Sequence, residues 1–257
     1  MPCSVSSRHK GVEVGFEEEG HVYTAKLPEG DVRLDSVTEF IHSYAPVFES
    51  ERMAGICARK EGISKEEMLR RWEEKRDHSC VYGTMIHETL EDRLLGRDLR
   101  HRMEEFREGA ERRTFASTSL AARDVTEKLD IISVEKMVFS LKYRLAGTVD
   151  LLCRPKKRTD MVLIQDWKTN STLDIENRYS KVMKPPISSV PASSWGIYTL
   201  QLSLYQLLLE EEGYFPSGMK YARSLCWLHD GIREWLKVPD MTKEVKLILA
   251  DRLRAKP

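Results

Sequence analysis

Three stretches beyond residue 130 constrain this chain most: IISVEKMVFS, YRLAGTVDLLCR and MVLIQDWKT. Each is rich in β-branched and apolar residues, and short polar turns separate them, which predicts a three-strand meander. Two of the runs carry a carboxylate where a strand should be buried. Asp150 sits within GTVDLL, and Asp166 ends the apolar part of LIQDWKTN. A buried carboxylate is costly without a cation or several donors, so the sheet must supply a partner for each. Lys168 follows Asp166 by two residues and therefore projects from the same strand face, while Trp167 faces the opposite way into packing. An Asp166–Lys168 ion pair, or a turn-end role for either aspartate, is the plain alternative. Adjacent antiparallel strands that bring both aspartates together demand more, because like charges repel unless they share a cation. Oxygen ligands with open positions suit Mg2+ or Mn2+.

The rest of the chain reads as helices around these strands. Residues 12–26 alternate about a Glu-Glu-Gly turn, which predicts a hairpin. Asp35-Ser36 caps a short helix over SVTEFIHSY. A charged helical region runs from about Glu49 to Arg76, broken at Gly62-Ile63-Ser64, with Ser64 and Glu67 forming a capping box. Further helices are predicted from about Tyr82 to Leu95, from about Ala116 to Leu129, over YTLQLSLYQLLLEEEG, and from Met241 to Arg254. SLCWLHD and REWLKVPD form a closing strand pair, and the Pro- and Ser-rich stretch from Arg178 to Ser194 reads as a mobile flap. This order predicts an α/β (α+β) fold, a central mixed β-sheet flanked by helices with an N-terminal helical portion. A single domain over residues 1–257 is expected, with 1–80 the hairpin and helical portion and 81–257 the core.

Composition excludes several classes. With 41% hydrophobic and 32% charged residues the chain is neither disordered nor membrane-spanning, and no apolar run approaches a membrane span. Lys+Arg 41 balance Asp+Glu 41, so any nucleic-acid surface must be local. The five cysteines are dispersed, without a C-x-x-C pair, which suits reduced thiols and offers no zinc or iron–sulfur ligand set. The start, MPCSVSSRHKG, lacks the apolar core of a secretory signal and reads as a floppy segment; a mitochondrial presequence is its subordinate reading. A cytoplasmic or nucleoid-like compartment is expected, whether the source is a cell, a virus or a phage.

GTVD, then IQDWKT, then YTLQLSLY resemble the PD-(D/E)xK nuclease superfamily, and within it the RecB-like branch with the Cas4-type and mitochondrial-genome-maintenance-type exonucleases. The G-x-x-x-H helix of that branch is matched by Gly83 to His87, and SVTEF is similar to a segment often found upstream. The resemblance implies a restriction-endonuclease-like core and a metal-dependent DNA nuclease. Asp150, Asp166 and His87 would bind Mg2+ or Mn2+, and the Trp167 carbonyl would complete the set. Lys168 would position the attacking water, with Glu135 assisting the metal or the water. Gln201 and Tyr205 match a Q-x-x-x-Y element that orients the site or touches the DNA backbone, and Thr169 accompanies them. Glu91, one helical turn after His87, is a candidate partner for it, with ordinary salt bridging as the alternative. The cysteine pattern of cluster-bearing relatives is missing, so no iron–sulfur cluster is expected, and no Walker loop indicates a motor. The implied partner is DNA, single-stranded or with single-stranded ends, together with replication or recombination proteins. Lys156, Lys157, Arg158, Lys168, Arg178, Lys181 and Lys184 are a candidate phosphate track. A second group, Arg52, Arg59, Lys60, Arg70 and Arg71 near Trp72, is either a base-stacking surface or a set of solvated helix faces.

Overall fold

The computed structural model describes residues 4–17, 20, 22–100 and 102–255. Cys3 and the predicted turn residues Glu18 and Glu19 lie outside the described residues. Among the described residues there are nine strands and six α-helices, and the strands join in one mixed sheet. The strands are β1 (Ser4–His9), β2 (Val12–Glu17), β3 (Val22–Lys26), β4 (Val32–Ser36), β5 (Leu129–Ser140), β6 (Leu145–Pro155), β7 (Met161–Lys168), β8 (Lys220–His229) and β9 (Ile232–Lys237). The helices are α1 (Val37–Ser43), α2 (Ser50–Glu61), α3 (Lys65–Leu94), α4 (Ala110–Lys128), α5 (Ser194–Glu211) and α6 (Thr242–Ala255).

The predicted meander β5–β6–β7 is present and antiparallel throughout. Residues 4–9, expected to be floppy, instead form β1, because they pair in register with β2 from Ser4↔Glu17 to His9↔Val12. The helices predicted over 49–76 and 82–95 also differ from what forms. Gly62, in the left-handed region at φ 69°, ends α2, and the Ser64 hydroxyl accepts from Glu67 N to start α3. No glycine or proline interrupts the chain from Lys65 to Tyr82. The second and third predicted helices therefore fuse into a continuous 30-residue α3, and the expected boundary at 80/81 falls inside it. Likewise α4 begins at Ala110, more than a turn before the predicted start.

Side chains alternate along β7 and divide the core in two. Val162 and Ile164 join a cluster with α1, α5 and α6, while Leu163 and Trp167 face a second cluster built by α3 and α4. α5 is apolar all round, with Leu200, Leu202, Leu204 and Leu207 to Leu209 all buried, as a helix enclosed on every side requires. Burial of each such leucine contributes about 1.5–3 kcal/mol, so α5 is the fixed wall against which the sheet packs.

The sheet forks at β6. One edge of β6 pairs with β5 along its whole length. On its other edge β4 pairs in parallel with Leu145 and Ala146 only, and β7 takes over at Leu151 to Cys153. Residues 147–150 lie between these two ladders. Into that gap the Tyr205 ring packs so close to Gly147 that a Cβ there would lie 2.8 Å from the ring carbon Cε1 and from the hydroxyl.

The flap expectation is corrected over residues 181–193. Met183, Ile187 and Val190 are buried in the α5-side cluster, and Lys184 N donates to Tyr44 O at 2.7 Å. The apolar side chains hold this half down, and only the outer part, with Tyr179 80% exposed, stands off the surface.

Candidate active site

The fork explains how Asp150 and Asp166 meet. The β6–β7 ladder ends with Leu151↔Gln165; one pair further in the same register stand Asp150 and Asp166, where the strands part. Asp150 is buried, and its Oδ2 accepts from Trp167 N at 2.8 Å. The same oxygen lies 3.4 Å from His87 Nδ1. His87 Nε2 in turn is 3.1 Å from Trp167 O, so one imidazole spans the carboxylate of β6 and a carbonyl of β7. α3 presents that ring because Ile86, Leu90 and Leu94, four residues apart, dock on the sheet and leave His87 at the margin of the docked face.

Asp166, 2% exposed, points to the α5 side with Lys168, whose Nζ lies 2.6 Å away. Trp167 faces the other core, edge-on to Trp235. The Lys168 ammonium also lies over the Tyr198 ring, 4.7 Å from its centre. Tyr198 OH donates to Asn170 Oδ1, and Trp227 Nε1 donates to Asn170 O, both at 2.7 Å. This Tyr198–Asn170–Trp227 tie was missed in the sequence. Tyr198 lies three residues before Gln201 and seven before Tyr205, so the i, i+3, i+7 spacing marked it as sharing their helix face.

Glu135 arrives from β5 by an irregular route. The β5–β6 ladder pairs Val134 with Leu151 and Lys136 with Val149, leaving Glu135 across from Asp150. Its backbone is left-handed, φ 47°, a conformation uncommon for a residue with a side chain. Ligand atoms of His87, Glu135 and Asp150 all lie within 4.8 Å of one another. The sequence expectation grouped Asp166 with His87 and Asp150 as the metal set. The tight trio instead contains Glu135, while Asp166 is held by Lys168.

Three carboxylates thus share the fork with one ammonium. Burial first, then the charge of Asp150, pushes Glu135 up from 4.5 to about 9. Burial and Asp150 likewise push Asp166 up from 3.8 to about 6. For Lys168 burial acts downward, but Asp166 and Asp150 outweigh it and hold the ammonium above its usual range. Asp166 Oδ2 is buried and, among the described residues, receives no well-aligned hydrogen bond despite its contact with Lys168. Oxygen donors, one imidazole nitrogen and an excess of negative charge fit a divalent cation of the Mg2+ or Mn2+ kind.

The remaining expected residues fall into place unevenly. Gln201 Nε2 donates to Thr38 Oγ1 and to Tyr205 OH, both at 3.3 Å, and both residues are buried. SVTEF therefore reaches the α5 face through Thr38, which the sequence did not single out. Thr169 is half-buried beside Gly83, where a Cβ would lie 3.6 Å from its hydroxyl. Glu91 pairs with Arg97 at 3.3 Å, the salt-bridging alternative. The basic turn is displaced: Lys156, six residues past Asp150 along β6, is about 20 Å away, and Arg158 is tied to Asp160 at 3.0 Å. Arg52 is paired with Glu49, and Arg70 and Arg71 with Glu67, as on a solvated helix face. The expected thiols Cys153 and Cys226 are buried in the α3/α4-side core. No helix among the described residues is long and apolar enough to cross a membrane.

No curated protein matches the sequence. The PD-(D/E)XK nuclease superfamily matches it over residues 56–230, a span that begins within α2 and takes in His87, Glu135, Asp150, Asp166 and Lys168. A central mixed sheet with helices on both faces is the restriction-endonuclease-like arrangement expected of such a protein. With that match covering more than half of its length, and with the acidic fork inside it, the chain belongs to the PD-(D/E)XK nuclease superfamily.

Proposed function

We propose that this protein is a Mg2+- or Mn2+-dependent deoxyribonuclease that hydrolyses phosphodiester bonds at single-stranded DNA ends. The observation that carries the reading is the meeting of Asp150, Asp166, Glu135 and His87 in one fork with a single compensating ammonium, Lys168. His87, Asp150, Glu135 and the Trp167 carbonyl would hold the cation, with Asp166 completing the acidic set. Held there, a cation would supply charge neutralisation at the phosphate and acidification of a water. Lys168, half-buried and fixed by Asp166 below and the Tyr198 ring beside it, would orient the attacking water and stays charged to face the developing negative charge on phosphorus oxygens. Asp150 fixes the imidazole and the Trp167 amide together, so the carbonyl and ring keep one orientation. Gln201 and Tyr205 hold α5 against Gly147 and Thr38 and thereby set the distance from Tyr198 to Lys168.

The test is turnover of end-labelled single-stranded DNA with Mg2+ or Mn2+, comparing wild type with Lys168→Ala and Asp150→Ala. Wild-type turnover no greater than that of the variants would sink the proposal and favour a DNA-binding module that keeps the nuclease fold. The same motifs permit a structure-specific endonuclease; cutting of circular single-stranded DNA, which offers no ends, would establish it.

A further inference from the structure

A second charged feature lies outside the fork. Where α3 ends and crosses α4 there is an open hollow of about 710 Å³, lined by Arg93, Arg97, Arg100 and Arg123, with Asp98 among the lining residues as a counter-charge. In a chain of zero net charge this is a local concentration of guanidinium groups. Arg93 differs from the other three. Its Nε donates to Thr118 Oγ1 at 2.7 Å and its guanidinium rests over the Phe115 ring, 5.1 Å from the centre. Among the described residues no carboxylate pairs with it, and burial alone draws its pKa down. The ring and Thr118 fix the guanidinium plane, and its two terminal nitrogens have no acceptor among the described residues. Arg100 and Arg123 pair with Asp98 and Glu127, exposed contacts that add little to stability and are readily exchanged for a phosphate, whereas Arg97 is held by the buried Asp92. The end of α3 carries a partial negative charge of roughly one half, which the Arg93 guanidinium outweighs.

We propose that this hollow is a phosphate-binding subsite that holds the backbone of the nucleic-acid strand whose scissile bond lies at the acidic fork. The inference rests on the nuclease reading. Arg93 follows His87 by six residues on one helix, about 9 Å along the axis and about a third of a turn around it, and Arg97 contacts Glu91, one turn from His87, so the strand would pass round α3 between the two sites. The hollow is open, and its arginines run from the end of α3 across to α4, which suits successive phosphates of a strand.

The measurement is the affinity of fluorescein-labelled oligodeoxythymidylate, by anisotropy in EDTA across a salt series, for wild type, Arg93→Gln and Arg123→Ala. Arg123 is exposed, so its variant folds whatever Arg93 does for α3. Each variant should raise Kd several-fold to tenfold and flatten the salt dependence by roughly 0.7 per lost contact; in turnover assays KM should rise more than kcat falls. Affinity and salt slope equal to wild type in both variants would overturn the subsite. Calorimetry with inorganic phosphate and thymidine monophosphate separates the sources of phosphate. Tight monophosphate binding lost in Arg93→Gln, with unchanged oligonucleotide affinity, would overturn the backbone assignment. Wild type that binds DNA through these arginines yet never cuts it would leave the subsite standing and remove the nuclease reading. Cleavage lost in Lys168→Ala with no binding defect in either arginine variant would do the reverse.

Discussion

β7 and β5 both bring acidic groups to the same fork, by opposite means. β7 stays regular: its pleat places Asp166 and Lys168 on one face, 2.6 Å apart, and buries Trp167 on the other. β5 departs from regularity at Glu135, which takes a left-handed backbone to stand beside Asp150 and His87. A regular strand delivers its charges at no conformational cost. A left-handed residue with a side chain costs on the order of 1–3 kcal/mol, and such strain persists where the surroundings over-determine it. β7 is therefore the unstrained half of the site, and β5 the half whose geometry its surroundings must hold.

Perturbing the unstrained half should have the largest effect. Lys168→Ala should lower turnover by about 10²–10⁴-fold and also lower the melting temperature, because the buried Asp166 loses its cation, and Lys168→Arg should keep that charge without restoring turnover, since a planar fork does not present its donors as a compact ammonium does. A Lys168→Ala enzyme within a few-fold of wild type would remove β7 from the chemistry. On β5, Glu135→Gln should cost less, about 10–100-fold in activity or metal affinity. It should also raise the melting temperature of the metal-free protein at pH 8, because it removes the cost of protonating on folding a carboxyl that burial and Asp150 hold at about 9. A lower melting temperature would mean the carboxylate itself holds the left-handed turn.

Acidity sharpens the same contrast. Both carboxylates are raised in the folded state, Asp166 to about 6 and Glu135 to about 9. The folded protein then binds more protons than the unfolded chain, so these two groups make stability fall as pH rises through 6 and on through 9. Thermal melts in EDTA from pH 5.5 to 9 should show that decline, and Mg2+ or Mn2+ should flatten it, with the greatest gain at the alkaline end. Equal cation effects at both ends would count against a cation seated on these carboxylates. Between the two halves, Gly147→Ala pushes a methyl against Tyr205 and should cost about 1–3 kcal/mol in urea unfolding. The smallest effect belongs to Asn170→Ala, which removes the side-chain acceptor of the Tyr198 hydroxyl for about 1 kcal/mol and a modest fall in activity, while the Trp227 bond to the residue 170 carbonyl stays.

The difference between the halves also divides what could be read directly from residues. Period-2 alternation places Asp166 and Lys168 together whatever lies around them, and the short turn before β7 makes β6 its antiparallel neighbour, so Asp150 follows. Ser36, Ser64 and Gly62 mark their helix ends through local hydrogen bonding and backbone freedom, and they do so in the fold. The junction of the second and third predicted helices was misread because weak helix formers such as His78, Ser79 and Cys80 lower propensity without breaking a helix, and tertiary packing overrides so small a term.

By itself, then, the sequence determined the strand meander, the burial of two aspartates, the shared face of Asp166 and Lys168, and the caps that start α1 and α3. These follow from interactions within a few residues. Only the tertiary structure decided that β4 and β7 share one edge of β6 and leave a gap at Gly147 to Asp150, that Tyr205 fills part of it, and that Glu135 turns left-handed to join His87. Those outcomes depend on partners far apart in the chain, chosen by how the sheet, α3 and α5 pack, and no local pattern encodes the choice.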